Sequence, residues 1–187
     1  MIAIVDYGVG NLFSHTCSFR SLGAEVTVTG DPEIIRSAGK VVLPGVGAFG
    51  DAAELLRKNG LDQVVIEEAN RGKPLLGICL GMQLLFDKSL EYGEHPGLGL
   101  IPGQVVSMEP VVPKGYKVPH IGWNALHIPK DKPVSPLFRY IKEGDCAYFV
   151  HSYYAADGVA DLIATAEYGP EQTAAVQRQN VMGTQFH

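Results

Sequence analysis

The chain has 187 residues, of which 46% are hydrophobic and 19% are charged, and its formal net charge at pH 7 is −5. This length predicts a single domain with one sizeable core, and no apolar run is long enough to cross a bilayer. The acidic balance and the scattered Lys and Arg residues exclude the basic surface that nucleic acid requires, so we expect neither nucleic acid nor a membrane as a partner.

The N-terminal residues and the cysteines indicate the cellular compartment in which the protein is expected. Residues 1–6 enter directly into a strand-like segment without a basic leader, so no signal peptide is indicated. The three cysteines, Cys17, Cys79 and Cys146, are widely spaced and lack the pairing of a zinc site or a disulfide framework. We therefore expect reduced thiols, no metal, no cofactor and a cytoplasmic protein.

The first half of the chain alternates strand-like and helix-like segments, a pattern typical of βα units around a parallel sheet. Apolar spacing predicts strands at residues 2–5, 25–29, 41–43 and 74–78. Helices are predicted over residues 12–22, after a cap at Asp31 followed by Pro32, around Leu55 and around residues 64–65.

Beyond about Gly93 the sequence is richer in Pro and Gly, and more strands follow. The pattern predicts them at residues 104–108, 123–127, 147–153, 162–168, 174–178 and 181–186. Gln179-Asn180 would form a hairpin turn between the last two strands. The predicted fold is a single α/β domain over residues 1–187, with a mixed, mainly parallel central sheet flanked by helices.

The segment Gly77-Ile78-Cys79-Leu80-Gly81 indicates a nucleophile elbow. It follows the predicted buried strand, and residues 82–86 read as the start of an apolar helix. A sharp turn brings together the positions two before and two after the cysteine, so glycines fit there, and a helix N-terminus favours a thiolate. The alternative is a structural cysteine buried in a βα turn.

Two glycine-containing loops follow neighbouring predicted strands, and both would reach the same edge of the sheet as Cys79. In Pro44-Gly45-Val46-Gly47, a backbone amide could pair with the N–H of Leu80 as an oxyanion hole, although a tight turn is equally consistent. The loop from Asp6 to Asn11 contains only a G-x-G, which is weak evidence for a dinucleotide site.

A thiol nucleophile needs a base, and the chain has six histidines. His187 follows the last predicted strand and could reach the edge that carries Cys79, while His151 ends a similar strand and competes for the role. The residues alone therefore indicate a cysteine hydrolase or acyl-transfer enzyme whose base is unassigned.

Six blocks spanning nearly the whole chain resemble the class I, triad-type glutamine amidotransferases. They are Asp6-Tyr7-Gly8-Val9-Gly10-Asn11-Leu12, Leu43-Pro44-Gly45-Val46-Gly47-Ala48-Phe49, Gly77-Ile78-Cys79-Leu80-Gly81-Met82-Gln83, His120-Ile121-Gly122-Trp123-Asn124, Phe149-Val150-His151-Ser152-Tyr153 and Gly183-Thr184-Gln185-Phe186-His187. The resemblance implies a glutaminase that hydrolyses L-glutamine to glutamate and ammonia.

The same resemblance implies roles for residues around Cys79. Cys79 would attack the side-chain amide of glutamine to form a thioester, with His187 as general base, and amides near Val46-Gly47 and at Leu80 would hold the oxyanion. Glutamine itself would be held by Gln83, Glu91, Ser152 and Tyr153. Without the resemblance, Gln83 could equally be a helix surface residue and Glu91 a solvated loop charge.

The matching blocks further imply a heterodimer. Their pattern is that of subunits that pass ammonia to a (β/α)8-barrel synthase, which makes imidazole glycerol phosphate in histidine biosynthesis. Asn11, His120 and Trp123 are the candidate partner-facing residues, because their motifs have no obvious hydrolytic task. For Trp123, a position in the core is the alternative.

The sequence departs from the family pattern at one point. Family members continue after the histidine with Pro-x-Glu, whose glutamate orients the base, and with a closing helix, whereas this sequence stops at His187. A polypeptide without that segment is expected to have very weak activity and lower stability. Two alternatives therefore stay open: a cysteine hydrolase of the α/β-hydrolase type, and a catalytically impaired, partner-binding subunit.

Overall fold

The computed structural model describes residues 1–156 and 159–187. The strands are β1 (Ile2–Val5), β2 (Val26–Thr29), β3 (Lys40–Leu43), β4 (Leu75–Ile78), β5 (Phe86–Ser89), β6 (His95–Pro96), β7 (Ile101–Ser107), β8 (His120–His127), β9 (Cys146–His151), β10 (Tyr153–Ala156), β11 (Leu162–Glu167), β12 (Glu171–Arg178) and β13 (Val181–Thr184). The α-helices are α1 (Leu12–Ser21), α2 (Pro32–Ser37), α3 (Phe49–Lys58), α4 (Leu61–Asn70) and α5 (Leu80–Leu84). Short 3-10 helices lie at Pro136–Phe138 and Val159–Asp161.

The central sheet has the strand order β2-β1-β3-β4-β13-β12-β11-β8-β9 among the described residues. The strands from β2 to β13 pair in parallel, and those from β13 to β9 pair antiparallel. This confirms the mixed α/β sheet, with the parallel half built from the N-terminal βα units. Because β13 runs parallel to β4, with Thr184 opposite Ile78, the residues that follow both strands reach the same edge.

A second, small sheet with the order β10-β7-β5-β6 stands beside the first. The predicted strand over residues 147–153 is wrong as a single element, because Ser152 divides it between the two sheets. The helix predicted to start over residues 82–86 instead begins at Leu80 and ends at Leu84. Phe86 is fully buried and pairs with Ile101 as the start of β5, so tertiary pairing ends α5 at Leu84.

Local signals in the sequence account for the helix boundaries. Asp31 caps α2 by accepting a hydrogen bond from the Glu33 amide at 2.9 Å, with Pro32 in the first turn. Gly23 follows α1 with φ of 79°, a left-handed conformation that suits glycine after a helix end. The predicted hairpin between β12 and β13 is also present, and Gln179 supplies its positive φ of 54°.

The parallel half of the sheet is buried against α3 and α4. The apolar faces of these helices supply Leu56, Leu61 and Val65, each 1% exposed. Burial of such side chains stabilises the fold by about 1.5–3 kcal/mol each. This core fixes the ends of β3 and β4, from which the loop at Pro44 and the segment at Cys79 emerge. No helix in the described parts of the chain is long and apolar enough to cross a membrane.

Candidate active site

Cys79 lies on a strained turn between β4 and α5, with φ of 57° and ψ of −115°. At the positions two residues before and two residues after Cys79, the surrounding backbone leaves no room for any side chain, so glycine is required. A Cβ on Gly77 would lie 2.5 Å from the Gly81 carbonyl oxygen, and one on Gly81 would lie 1.9 Å from the Leu43 carbonyl oxygen. The predicted nucleophile elbow is therefore present, and its glycines also let the loop after β3 pack directly against it.

The Cys79 thiol is buried, at 8% exposure. Burial raises its pKa to about 11, while hydrogen bonds from the Leu80 amide and the Gln185 side chain act in the opposite direction. The thiolate expected at the helix N-terminus is therefore not favoured in this state, because α5 has only five residues and desolvation dominates. At neutral pH the thiol is protonated, so attack on a substrate needs a base.

A cavity of about 360 Å³ opens beside the elbow. It brings together every residue that the sequence assigned to catalysis, to the oxyanion hole or to glutamine binding. Its lining comprises Cys79, His187, Val46, Gly47, Leu80, Gln83, Glu91, Ser152 and Tyr153, together with Pro119, Val150 and His151.

Both candidate bases reach this cavity. The His151 Nδ1 donates to the Tyr153 carbonyl at 2.9 Å, and burial lowers the pKa of this imidazole to about 4. His187 follows β13, and its ring stacks on His15 with centroids 6.0 Å apart. Burial also lowers the pKa of His187, but without the large shift of His151. Because a general base works best with a pKa near the working pH, His187 is the better matched of the two.

Glu91 is half-buried and anchored, rather than a solvated loop charge. Its Oε2 accepts a hydrogen bond from the Phe49 amide at 2.6 Å, at the start of α3, where Ala48 provides no side-chain cap. A carboxylate is favoured in the positive field of a helix N-terminus. Within the described residues, Oε1 of Glu91 has no hydrogen-bond partner, and it remains available to a ligand in the cavity.

Gln83 is 5% exposed, so it is not a helix surface residue. Its Nε2 donates to the Tyr153 carbonyl at 3.0 Å and to the Gln185 Oε1 at 2.9 Å. Both partners are acceptors, which fixes the orientation of the Gln83 amide. The carbonyl oxygen of Gln83 is thus the atom left to accept a hydrogen bond from a substrate N–H.

Sequence reasoning missed three residues around this site. Tyr7 is buried, and its hydroxyl donates to the Pro44 carbonyl at 2.7 Å, which holds the glycine loop beside Cys79. His15 stacks on His187, and Gln185 contacts Cys79. Tyr7 and Gln185 lie inside recognised blocks, but a neutral side chain gives no sign in the sequence of which neighbour it will meet.

The predicted partner-facing residues differ in exposure. Trp123 is 71% exposed on β8, which excludes the core alternative, and Asn11 is exposed where it caps α1 through a 3.4 Å bond from the Ser14 amide. His120 is only 2% exposed, stacked on Tyr168 with centroids 3.9 Å apart. Its side chain is therefore not on the surface, which corrects the prediction that His120 faces a partner. The ring is buried because it packs within an aromatic cluster.

A cysteine on a strained elbow and a histidine after the neighbouring parallel strand line one polar cavity, an arrangement that suits a thiol-dependent hydrolase or acyl-transfer enzyme. The sequence profile described as "Glutamine amidotransferase class-I" matches residues 3–187. The chain belongs to the class-I glutamine amidotransferase family.

Within that family the chain is similar to proteins named "Imidazole glycerol phosphate synthase subunit HisH". It is 46% identical to the one from Syntrophotalea carbinolica, covering 100% of this chain and 91% of the relative. It is 48% identical to those from Sulfurimonas denitrificans and Bacillus licheniformis, covering 100% of this chain and 89% and 88% of the relatives. The chain is therefore a glutamine amidotransferase of the HisH type, and the α/β-hydrolase alternative is not favoured.

Solved structures support the fold. A crystal structure of a glutamine amidotransferase superposes with a TM-score of 0.76 at 18% identity, covering 100% of this chain and 90% of that one. PurLQS from Thermotoga maritima gives a TM-score of 0.69 at 19% identity, with coverage of 100% and 86%. These likenesses agree with the mixed sheet and its flanking helices.

Proposed function

We propose that this chain is the glutaminase subunit of an imidazole glycerol phosphate synthase, supplying ammonia for histidine biosynthesis. The observation that carries the proposal is the shared cavity of Cys79 and His187 beside a nucleophile elbow. The names of the relatives support the assignment to this synthase.

The chemistry follows from a buried, protonated thiol beside an imidazole. His187 takes the proton of Cys79 as Sγ attacks the side-chain amide carbon of glutamine. Collapse of the tetrahedral intermediate returns that proton to the amide nitrogen and releases ammonia, which leaves a thioester. Water, deprotonated by His187, then attacks the thioester. The C–S bond breaks, Cys79 regains the proton from His187, and glutamate is released.

The negative oxygen of the tetrahedral intermediate needs hydrogen-bond donors that are already in place. The Leu80 amide lies beside Sγ, since it donates to the thiol in the resting state. Val46 and Gly47 line the same cavity, and Gly47 has a positive φ of 93° that few side chains would allow. We assign the oxyanion hole to the amides of these three residues.

The polar groups of the cavity fit the two ends of glutamine. Glu91 carries the charge that suits the α-ammonium group, and Oε1 of Gln83 can accept a hydrogen bond from a substrate N–H. Ser152 and Tyr153 complete the wall of the cavity. We propose that these four residues position the substrate so that its amide carbon lies against Cys79.

Glu91→Gln is expected to raise the KM for glutamine by about 10- to 100-fold, as expected for losing a charge-assisted hydrogen bond of about 1.5–3 kcal/mol. The substituted amide can still accept the hydrogen bond from the Phe49 amide, so the start of α3 keeps its cap. Steady-state glutaminase kinetics measure the effect. Glu94→Gln is the matched control, because Glu94 is an exposed carboxylate that pairs with Lys88 at 2.8 Å. An unchanged KM in Glu91→Gln would remove the ammonium contact from the proposal.

Ammonia protonates in water and is then no longer a nucleophile, so a glutaminase of this kind must deliver it directly. We propose a (β/α)8-barrel synthase subunit as the partner in a heterodimer, and the lyase chemistry belongs to that subunit. Trp123 on β8 and Asn11 at the start of α1 are exposed and are the proposed contacts. Free cysteines at positions 17, 79 and 146 support a reducing compartment, for which we propose the cytoplasm.

Trp123→Ala is expected to weaken binding of the synthase subunit by about 30-fold, because exposed aromatic side chains that become buried at an interface contribute about 2 kcal/mol or more. Calorimetry with the purified partner measures the affinity. Tyr140→Ala is the control, since Tyr140 is 84% exposed on a different segment. Equal affinities of the Trp123→Ala and Tyr140→Ala variants would show that Trp123 does not lie at the interface.

The proposed function is tested by assaying glutamate and ammonia release with and without the synthase subunit and its nucleotide ligand. Ammonia release that rises with the partner, and transfer of the amide nitrogen to the imidazole product, are the expected results. Partner binding without any glutamine turnover would instead identify a noncatalytic, partner-binding subunit.

A further inference from the structure

Gln185 lies two residues before His187 and is fully buried. Its Nε2 donates to the Sγ of Cys79 at 3.8 Å, a hydrogen-bond distance for sulfur, and its Oε1 accepts from Gln83 at 2.9 Å. A buried amide with both ends engaged thus joins the nucleophile to a wall of the substrate cavity. Neither acid–base chemistry nor glutamine binding, as proposed above, uses this side chain.

The hydrogen bonds of Gln83 fix the orientation of the Gln185 side chain. The Gln83 Nε2 also donates to the Tyr153 carbonyl, so its amide cannot be flipped without placing two oxygens against each other. Gln185 must therefore present its carbonyl oxygen to Gln83 and its NH2 group to the sulfur. The bond that Gln185 accepts from Gln83 polarises the Gln185 amide, and this polarisation increases the donor strength of its NH2 group toward Cys79.

We propose that Gln185 is a positioning residue that holds Cys79 Sγ and the Gln83 amide in one rigid unit. Its NH2 group stabilises the sulfur as negative charge develops there, and its oxygen keeps Gln83 turned so that the Gln83 carbonyl faces the substrate. The inference deepens the proposed glutaminase function and rests on it for the substrate side of the contact.

The side chain of Gln185 can be changed without removing the main-chain bonds that hold its strand end. The Gln185 amide donates to the Ala174 carbonyl at 2.8 Å, and the Cys79 amide donates to the Thr184 carbonyl at 2.7 Å. Both bonds are between backbone groups, so they persist in a substituted chain. An effect on the thiol can therefore be separated from an effect on the fold.

The test uses Gln185→Leu and Gln185→Glu, and it measures alkylation of Cys79 by iodoacetamide at a fixed pH below the pKa of the thiol. Leucine removes the donor, and glutamate still accepts from Gln83 but turns a carboxylate toward the sulfur. Each variant is expected to alkylate about 10-fold more slowly, as for the loss of one hydrogen bond to a charged group. Site-resolved mass spectrometry separates Cys79 from the exposed Cys17 and Cys146.

Gln172→Leu is the matched control, because Gln172 is also a buried glutamine, but its side chain donates to the Tyr168 carbonyl at 3.4 Å rather than to Cys79. Its alkylation rate at Cys79 is expected to equal that of the unsubstituted chain. If Gln185→Leu fails to fold, by circular dichroism, the near-isosteric Gln185→Glu decides the question. If Cys79 in the folded Gln185 variants is alkylated at the same rate as in the unsubstituted chain, the inference is overturned.

The proposed function and the positioning role of Gln185 can be contradicted separately. Iodoacetamide needs no glutamine site, so slower alkylation of the Gln185 variants together with an absence of glutamine turnover in the unsubstituted chain would contradict the proposed function and leave the positioning role intact. Normal alkylation with normal turnover would contradict the positioning role alone. A fall in kcat that parallels the fall in alkylation is the expected result.

Discussion

Cys79→Ala is expected to lower glutaminase turnover by roughly 10⁵-fold or more, to the background of the assay. Removal of the nucleophile from a catalytic unit of this type costs about 10⁶ in kcat, and the remaining groups act only on the attack of water. His187 and the amides at Val46, Gly47 and Leu80 stay in place in this variant. They have no covalent intermediate to stabilise, because alanine cannot form the thioester.

Cys17→Ala is the matched control. Cys17 is exposed on α1, whereas Cys79 is buried at the cavity, so the control removes a thiol without touching the site. Coupled measurement of glutamate gives the turnover, and a glutamine-like electrophile followed by mass spectrometry identifies the modified cysteine. Labelling at Cys17, or retained turnover in Cys79→Ala, would contradict the assignment of the nucleophile.

The elbow could be predicted from sequence because steric exclusion is a local property. A turn this tight admits only glycine at positions 77 and 81, where a Cβ would meet backbone oxygen at 2.5 Å and 1.9 Å. The parallel half of the sheet was equally predictable from the alternation of short apolar runs and capped helices. By the rule that parallel strands end at one edge, His187 could reach the edge that carries Cys79, but only the parallel pairing of β13 with β4 shows that it does.

The small sheet could not be predicted, since it depends on pairings between distant segments. β7 lies between β5 and β10, and the pairing of Tyr153 with Ser107 spans 46 residues of sequence. The local pattern over residues 147–153 predicts one strand. Only this long-range pairing shows that Ser152 separates two strands, β9 and β10. The same holds for His120, whose motif suggested a surface role but whose ring lies in an aromatic cluster.

Buried amides are the other class that sequence reasoning could not place. Gln83 and Gln185 are uncharged, and their types alone do not distinguish a solvated residue from a buried hydrogen-bond bridge. Their orientation became clear only from the acceptors around Gln83 Nε2, the Tyr153 carbonyl among them. Glu91 is similar, because its anchoring to the Phe49 amide depends on a loop 42 residues away in sequence.

The second large predicted effect is on the rate of glutamine hydrolysis, and it depends on how the His187 ring is oriented. Within the described residues its ring contacts His15 by stacking, and no carboxylate hydrogen-bonds to it. Stacking restrains the plane of an imidazole but does not select which nitrogen carries the proton. In a triad a carboxylate does so and also stabilises the imidazolium that forms during attack.

A polypeptide that carries Pro-x-Glu directly after His187 is therefore expected to hydrolyse glutamine faster than one ending at His187, by roughly 10²- to 10⁴-fold. The decisive comparison is between extensions of equal length that carry Pro-x-Glu or Pro-x-Gln, because both add the same chain and only one adds the charge. Ammonia release with the synthase subunit present measures the difference. Equal rates for the two extensions would assign any gain to the added chain itself, and would mean that His187 works without an orienting acid.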